Sequence, residues 1–288
     1  VAGNAFFGAF MAWMVLGRRT RRMTQNLDVM TMPEFLQERY QGKYTKIFAA
    51  IVIFIFLLPY SASVFKGLGH LFEANFHISF DLALLIMIGI TGIYLVLGGY
   101  FAITLTDFIQ GFVMIIGSLA MISLLVSKGG GFSEVIEKIN INHVLHVPLD
   151  KRPPAILLIS LVFMTSFGTW GLPQMVQKFY AVKNEQVITK AAIATFFFAL
   201  IIGFTAYFTG SMSHLFFDKL PIINGQPAFD RIVPDLLTQQ LPEALMALIL
   251  LLVLSASMST LSSLVLVSSS SIAIDLYKGH VNTDISTE

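Results

Sequence analysis

Apolar runs of about helix length alternate along this chain with short polar connections carrying charge, Gly, Pro, Asn and Ser. Seven runs stand out, near residues 1–17, 47–70, 81–100, 105–127, 155–172, 191–212 and 244–272. A helix needs roughly 20 apolar residues to cross the hydrocarbon of a bilayer, so the pattern predicts about seven transmembrane helices, the first of them short. The last run carries no charge from Ala244 to Ile274, which is 31 positions. Between the runs, residues 131–141 and 228–240 predict short amphipathic surface helices, the latter with Ile232, Leu236 and Leu237 on its apolar side. The first connection predicts another short helix. Thr31 and Glu34 have the spacing of a capping box, Pro33 stands where its missing N–H costs nothing, and Arg39 and Tyr40 close the helix before Gly42.

Composition agrees with membrane burial. The chain is 56% hydrophobic and only 12% charged, with a mean hydropathy of +0.77, whereas soluble domains carry about 25% charged residues. The fold class that follows is all-α and polytopic, with the lipid bilayer as a partner and no linker that reads as a domain boundary. No basic run is interleaved with aromatics, which removes nucleic acid from the partners. Without cysteine there are no disulfides, thiol nucleophiles or cysteine metal sites. The first, third and fifth connections plus the C-terminal tail hold 11 of the 18 Lys and Arg residues; the other connections hold six, and Lys66 lies within a span. The positive-inside rule then places Val1 outside and Glu288 in the cytoplasm. The chain opens at Val1 in apolar sequence without an initiating Met, so its natural N-terminus is expected upstream.

Four stretches interrupt the apolar runs in ways that bear on chemistry. Pro59-Tyr60-Ser61-Ala62-Ser63 puts a proline within the second span, where it frees a carbonyl and bends a helix; Tyr60 is placed to hydrogen-bond a ligand there or a neighbouring helix. Gly98-Gly99 predicts a tight turn between the third and fourth spans, with Thr106 or Asp107 capping the next helix. Ser166, Gly168, Thr169, Trp170 and Gly171, followed by Pro173, predict a helix interrupted or packed around a cavity; a broken helix is the best pointer to a transporter site that a sequence offers, while Trp170 suits an aromatic-belt anchor as well. In the last run Ala256, Ser259, Thr260 and Ser263 follow i, i+3, i+4, i+7 and share one helix face. That face suits either close helix packing or a site where neutral oxygens hold a small cation. An intramembrane enzyme is disfavoured, because His70, His77, His143, His146, His214 and His280 all lie at or beyond span ends and Ser259 has no imidazole at its depth. A receptor or structural membrane protein is the alternative reading.

Taken together, several stretches resemble the sodium:solute symporter family, which contains bacterial proline, pantothenate and sugar symporters. They are Thr31-Met32-Pro33-Glu34-Phe35-Leu36 with Arg39-Tyr40; Gly98-Gly99 with Ala102, Thr106-Asp107 and Gln110; Gly171-Leu172-Pro173-Gln174; and Ala256-Ser257-Met258-Ser259-Thr260-Leu261, followed by Ser268-Ser269 and Asp275-Leu276-Tyr277-Lys278. The resemblance implies a LeuT-like fold of two inverted five-helix repeats. Residues 1–288 would form a single, incomplete transporter domain holding core helices two to eight, without the first, ninth and tenth. It implies a secondary transporter of a bacterial plasma membrane, coupling inward sodium flux to uptake of a small organic solute such as proline or pantothenate, with no cofactor beyond the ion. Sodium would be bound by Ala256, Ser259 and Thr260, and the solute faced by Tyr60, Ser166, Thr169 and Trp170. Pro59, Gly98, Gly99, Asp107, Gln110 and Pro173 would shape or gate the helices. Proline-type members carry an aromatic where this chain has Thr165 and sugar-type members a Tyr where it has Thr169, so the resemblance leaves the solute open.

Overall fold

The computed structural model describes residues 2–76, 78–146, 152–217, 222–223 and 226–281; Val1 and Glu288, whose sides of the membrane the charge pattern predicts, lie outside the described residues. Helices dominate. The first apolar span is wound wide, as π-helical turns over Asn4–Phe10 and Trp13–Gly17. There follow α1 (Arg18–Leu27), α2 (Met32–Tyr40), α3 (Lys43–Phe76), α4 (Phe80–Lys128), α5 (Phe132–His146), α6 (Ala155–Phe167), α7 (Pro173–Ala181), α8 (Glu185–Phe216), α9 (Ile232–Gln240) and α10 (Glu243–Ser270). The last helix continues as a π-helical stretch, Ser271–Val281. Residues 222–223 and 226–227 form one short antiparallel pairing.

Among the described residues, five segments are long and apolar enough to cross a membrane: Tyr44–Gly69, Phe80–Gly98, Ile103–Lys128, Glu185–Phe216 and Glu243–Gly279. Ala155–Gly171 with Pro173–Ala181 adds a sixth if that bent pair is one span. The sides of these helices expose large apolar groups, such as Phe48 at 71%, Leu85 at 67% and Ile156 at 70%. Water would not tolerate so much contiguous apolar surface, whereas lipid or further apolar helices would.

The predicted turn at Gly98-Gly99 does not form. The backbone remains helical from Phe80 to Lys128, 49 residues, or about 73 Å at 1.5 Å per residue. Thr106 and Asp107 are therefore interior helix residues rather than caps, and the Thr106 hydroxyl donates to Ile103 O at 2.9 Å within the same helix. Two glycines weaken a helix by only about 1 kcal/mol each, a cost that a helix of this length carries. The real turn comes later. Gly130 and Gly131 take φ of +99° and +102°, a left-handed backbone that glycine alone adopts without strain, and Gly131 N–H returns to Val126 O at 2.9 Å.

The chain forms two compact units. One comprises Val64–Ile159 and Leu200–Ser259; its core joins Met121 and Leu125 of α4, Val135 of α5, Met212 of α8, Leu237 of α9 and Ile249 of α10. The other comprises Ala2–Ser63, Ser160–Ala199 and Thr260–Glu288. Its core centres on Trp13, whose indole meets the Phe179 ring edge-on at 4.9 Å, with Val176, Tyr180, Ile188 and Ala192 around them. Small residues allow this: a Cβ on Gly17 would come within 3.2 Å of Ile188. At the entrance to α2 the capping box forms as predicted, with Thr31 Oγ1 accepting from Glu34 N–H at 3.2 Å and Glu34 Oε2 accepting from Thr31 N–H at 3.3 Å.

Candidate transport site

α10 carries the hydroxyl face. Its 28 residues, Glu243–Ser270, form an unbroken α-helix with its carboxylate, Glu243, confined to the first turn. Ala256, Ser259 and Thr260 are each half-buried, whereas Leu261, Ser262 and Leu264 are fully buried. Leu261 lies across the helix from that face, whereas Ser262 and Leu264, three and four positions beyond Ser259 and Thr260, flank it. Further along, Ser269 Oγ donates to Leu266 O, and Ser270 Oγ and Ser271 Oγ both donate to Val267 O at 2.9–3.1 Å. Ser259 and Thr260 offer uncharged, hard oxygen atoms on successive positions, a donor chemistry that suits a monovalent cation such as sodium.

The other predicted site residues gather at a helix break. α6 ends at Phe167, tightens into a 3₁₀ turn over Gly168–Gly171, and resumes as α7 with Pro173 in its first turn; the axis bends by 49°. Leu172 is extended (φ −65°, ψ 125°), as expected for a residue before proline. Thr169 Oγ1 donates to Ser166 O at 2.8 Å, and the Trp170 indole N–H donates to Phe7 O at 2.7 Å. Ser166 is buried and its hydroxyl donates to Asn4 Oδ1 at 2.9 Å, while Asn4 Nδ2 donates to Thr165 Oγ1 at 3.1 Å. The backbones come close because Gly8 has no side chain: a Cβ there would lie 3.4 Å from Ser166 Cα. Tyr60 stands on α3, 38% exposed. That helix runs through Pro59 without a break, with Ser61 Oγ donating to Leu57 O at 3.0 Å. So Ser166, Thr169 and Trp170 share one break, and Tyr60 belongs to a separate helix.

Sequence reasoning missed Asn4. A single amide in an apolar run at the chain's start was the only signal, and its two partners lie 161 and 162 positions away. It also missed that Asp275, noted only as part of a motif, is fully buried and accepts from Thr31 Oγ1 at 2.6 Å.

The sodium:solute symporter family model matches residues 1–288 of this chain. The chain belongs to that family. Its similarity extends to the sodium/proline symporter of Salmonella typhimurium, 28% identical over 100% of this chain and 58% of that protein. Sodium/proline symporter 2 of Staphylococcus saprophyticus is 31% identical over 94% of this chain and 53% of its own length. The osmoregulated proline transporter of Bacillus subtilis is 26% identical over 94% of this chain and 55% of its own length. The chain thus spans little more than half the length of the curated relatives it matches. The family is one of membrane transporters with a LeuT-like fold, with which the predominantly helical architecture and its several long apolar helices agree.

Proposed function

We propose that this chain is part of a secondary transporter that couples inward sodium flux to the uptake of a small organic solute. The observation that carries the reading is the half-buried hydroxyl face of Ser259 and Thr260 on an unbroken, apolar α10, in a chain of the sodium:solute symporter family. Ala256 would add a backbone carbonyl, and the remaining ligands would come from another core helix; residues 1–288 would represent core helices two to eight. The break between α6 and α7, with Ser166, Thr169 and Trp170, would border the solute, and Tyr60 would reach it from α3. The printed names of three relatives favour proline as the first solute to try; pantothenate is the second. The host membrane would be a bacterial plasma membrane, with the Arg18–Lys46 connection in the cytoplasm.

Mechanistically, a cation is dehydrated only when several protein oxygens replace its water together. Hydroxyl and carbonyl dipoles in a low-dielectric setting can hold one positive charge without a carboxylate. If the ion favours the same conformation that binds solute, each ligand strengthens the other by an equal factor. The test is uptake of labelled proline into proteoliposomes with and without an inward sodium gradient. Accumulation driven by sodium and not by an equal potassium gradient supports the reading; failure to move any solute of a screened set would favour the receptor or structural alternative.

A further inference from the structure

The buried charges at the far end of α10 are not among the residues proposed to hold sodium or solute. Asp275 lies in the π-helical stretch Ser271–Val281 and is 0% exposed; Lys46, in the first turn of α3, is 7% exposed. Lys46 Nζ stands 3.6 Å from Asp275 Oδ1 and 3.4 Å from Glu34 Oε1. Thr31 binds in both directions: its hydroxyl donates to Asp275 Oδ1 at 2.6 Å and accepts the Glu34 N–H at 3.2 Å. Gly279 leaves room for the ammonium, since a Cβ there would fall 3.1 Å from Lys46 Nζ. Beside this cluster, a cleft lined by Thr31, Pro33, Ile53, Gln177, Ser270 and Ser271 separates α2 and α3 from α7 and α10.

Magnitudes argue against a purely structural prop. Replacing a buried ion pair by apolar groups of like volume is often neutral or stabilising, so such a pair is weak evidence of stability, and fixing a register or a switch is its best-attested use. The two contacts to Lys46 are longer than the roughly 2.7–2.9 Å of a tight charge-assisted bond. The lysine is therefore shared by two carboxylates rather than locked to one. A shared ammonium can release one helix while keeping the other. π-helical turns, moreover, concentrate where helices act.

We propose that Asp275, Lys46 and Thr31 are positioning residues for sodium coupling: they tie the end of α10, the helix bearing Ser259 and Thr260, to α2 and α3 in one state of the transport cycle and let it go in another. This rests on reading α10 as the sodium helix. Because a helix is stiff along its length, the tie sets where the hydroxyl face stands when the ion arrives. The cleft at Ser270 and Ser271 is the space that widens when the tie opens.

The experiment uses the protein reconstituted in proteoliposomes, with Asp275→Asn, Lys46→Met and the double variant at matched protein amount. Asp275→Asn is expected to raise the sodium concentration for half-maximal uptake at least about fivefold, the lower end of ordinary coupling between sites, with the maximal rate within about twofold. The double variant should be no worse than Lys46→Met alone, since both break one tie. Ser270→Cys, in a chain that has no native cysteine, should react with a thiol reagent faster once Asp275→Asn is added. An unchanged sodium requirement accompanied by lower abundance or Tm would make the cluster a structural prop and overturn the proposal. So would independent, multiplying effects in the double variant. Ser259→Ala run in parallel separates the two readings. If it leaves the sodium requirement untouched, the sodium assignment fails on its own, and the tie then stands or falls on the Ser270→Cys reactivity.

Discussion

At the residue scale, the hydroxyls of α10 make the sharpest statement. Ser259→Ala or Thr260→Ala removes one oxygen from the proposed ion site. The loss of a buried polar partner is about 1–3 kcal/mol, so the sodium concentration for half-maximal uptake should rise by roughly five- to 150-fold. Ser262 neighbours Ser259 on the helix but is fully buried where Ser259 and Thr260 are half-buried; Ser262→Ala should lower abundance or Tm before it changes sodium dependence. If all three variants shift the sodium requirement alike, or none does, the face serves packing. Trp170 offers a second residue-scale test, because its indole N–H donates to Phe7 O. Trp170→Phe keeps the aromatic wall and loses that bond, and Trp170→Ala loses both. Solute half-saturation should worsen from the first variant to the second, and equal affinity in both at normal expression would return Trp170 to a packing role.

At the scale of elements, the break between α6 and α7 depends on a partner the break itself does not contain. Asn4 uses its amide as donor to Thr165 and acceptor from Ser166, and so holds the π-helical Asn4–Phe10 stretch against the point where α6 stops. Asn4→Ala strands two hydroxyl contacts at once and should weaken solute affinity about tenfold, the scale of one to two such hydrogen bonds, with little change in sodium requirement at saturating solute. A flat solute affinity would show that the break is shaped by Pro173 and its glycines alone. The turn between α4 and α5 is a matter of stability instead. Gly130 and Gly131 stand at positive φ, and Gly131→Val forces a branched side chain there at a cost of about 1–3 kcal/mol. A lowered Tm in detergent with unchanged half-saturation constants is the expected pair of results.

At the scale of the whole molecule, the uneven charge of 11 against six Lys and Arg predicts the orientation of the helices. Gln25, between α1's arginines and α2, and Asn140, on α5, are both exposed. Single cysteines there report the two sides cleanly, since the chain has none of its own. The charge reading counts Phe80–Gly98 and Ile103–Lys128 as two separate crossings, so an impermeant thiol reagent applied outside cells should label position 140 and spare position 25; labelling of neither would mean that α4 crosses only once, and the reverse pattern would invert the proposed topology. What the amino-acid order determined by itself was whatever depends on local chemistry: the apolar runs that became α3, α8 and α10, the capping box that starts α2, and the Gly-Thr-Trp-Gly-Leu-Pro interruption after α6. Each needs only residues within a few positions of one another, so spacing and propensity suffice. The Gly98-Gly99 turn failed on the same ground, because glycine makes a turn cheap but only the surroundings decide whether a turn is worth its unpaired backbone groups. Asn4 at the α6 break, and Asp275 meeting Thr31 across 244 positions, were decided by tertiary structure alone. A lone amide or carboxylate in a helical run reads the same whether it faces lipid headgroups or a distant partner, and only folding brings that partner within 3 Å.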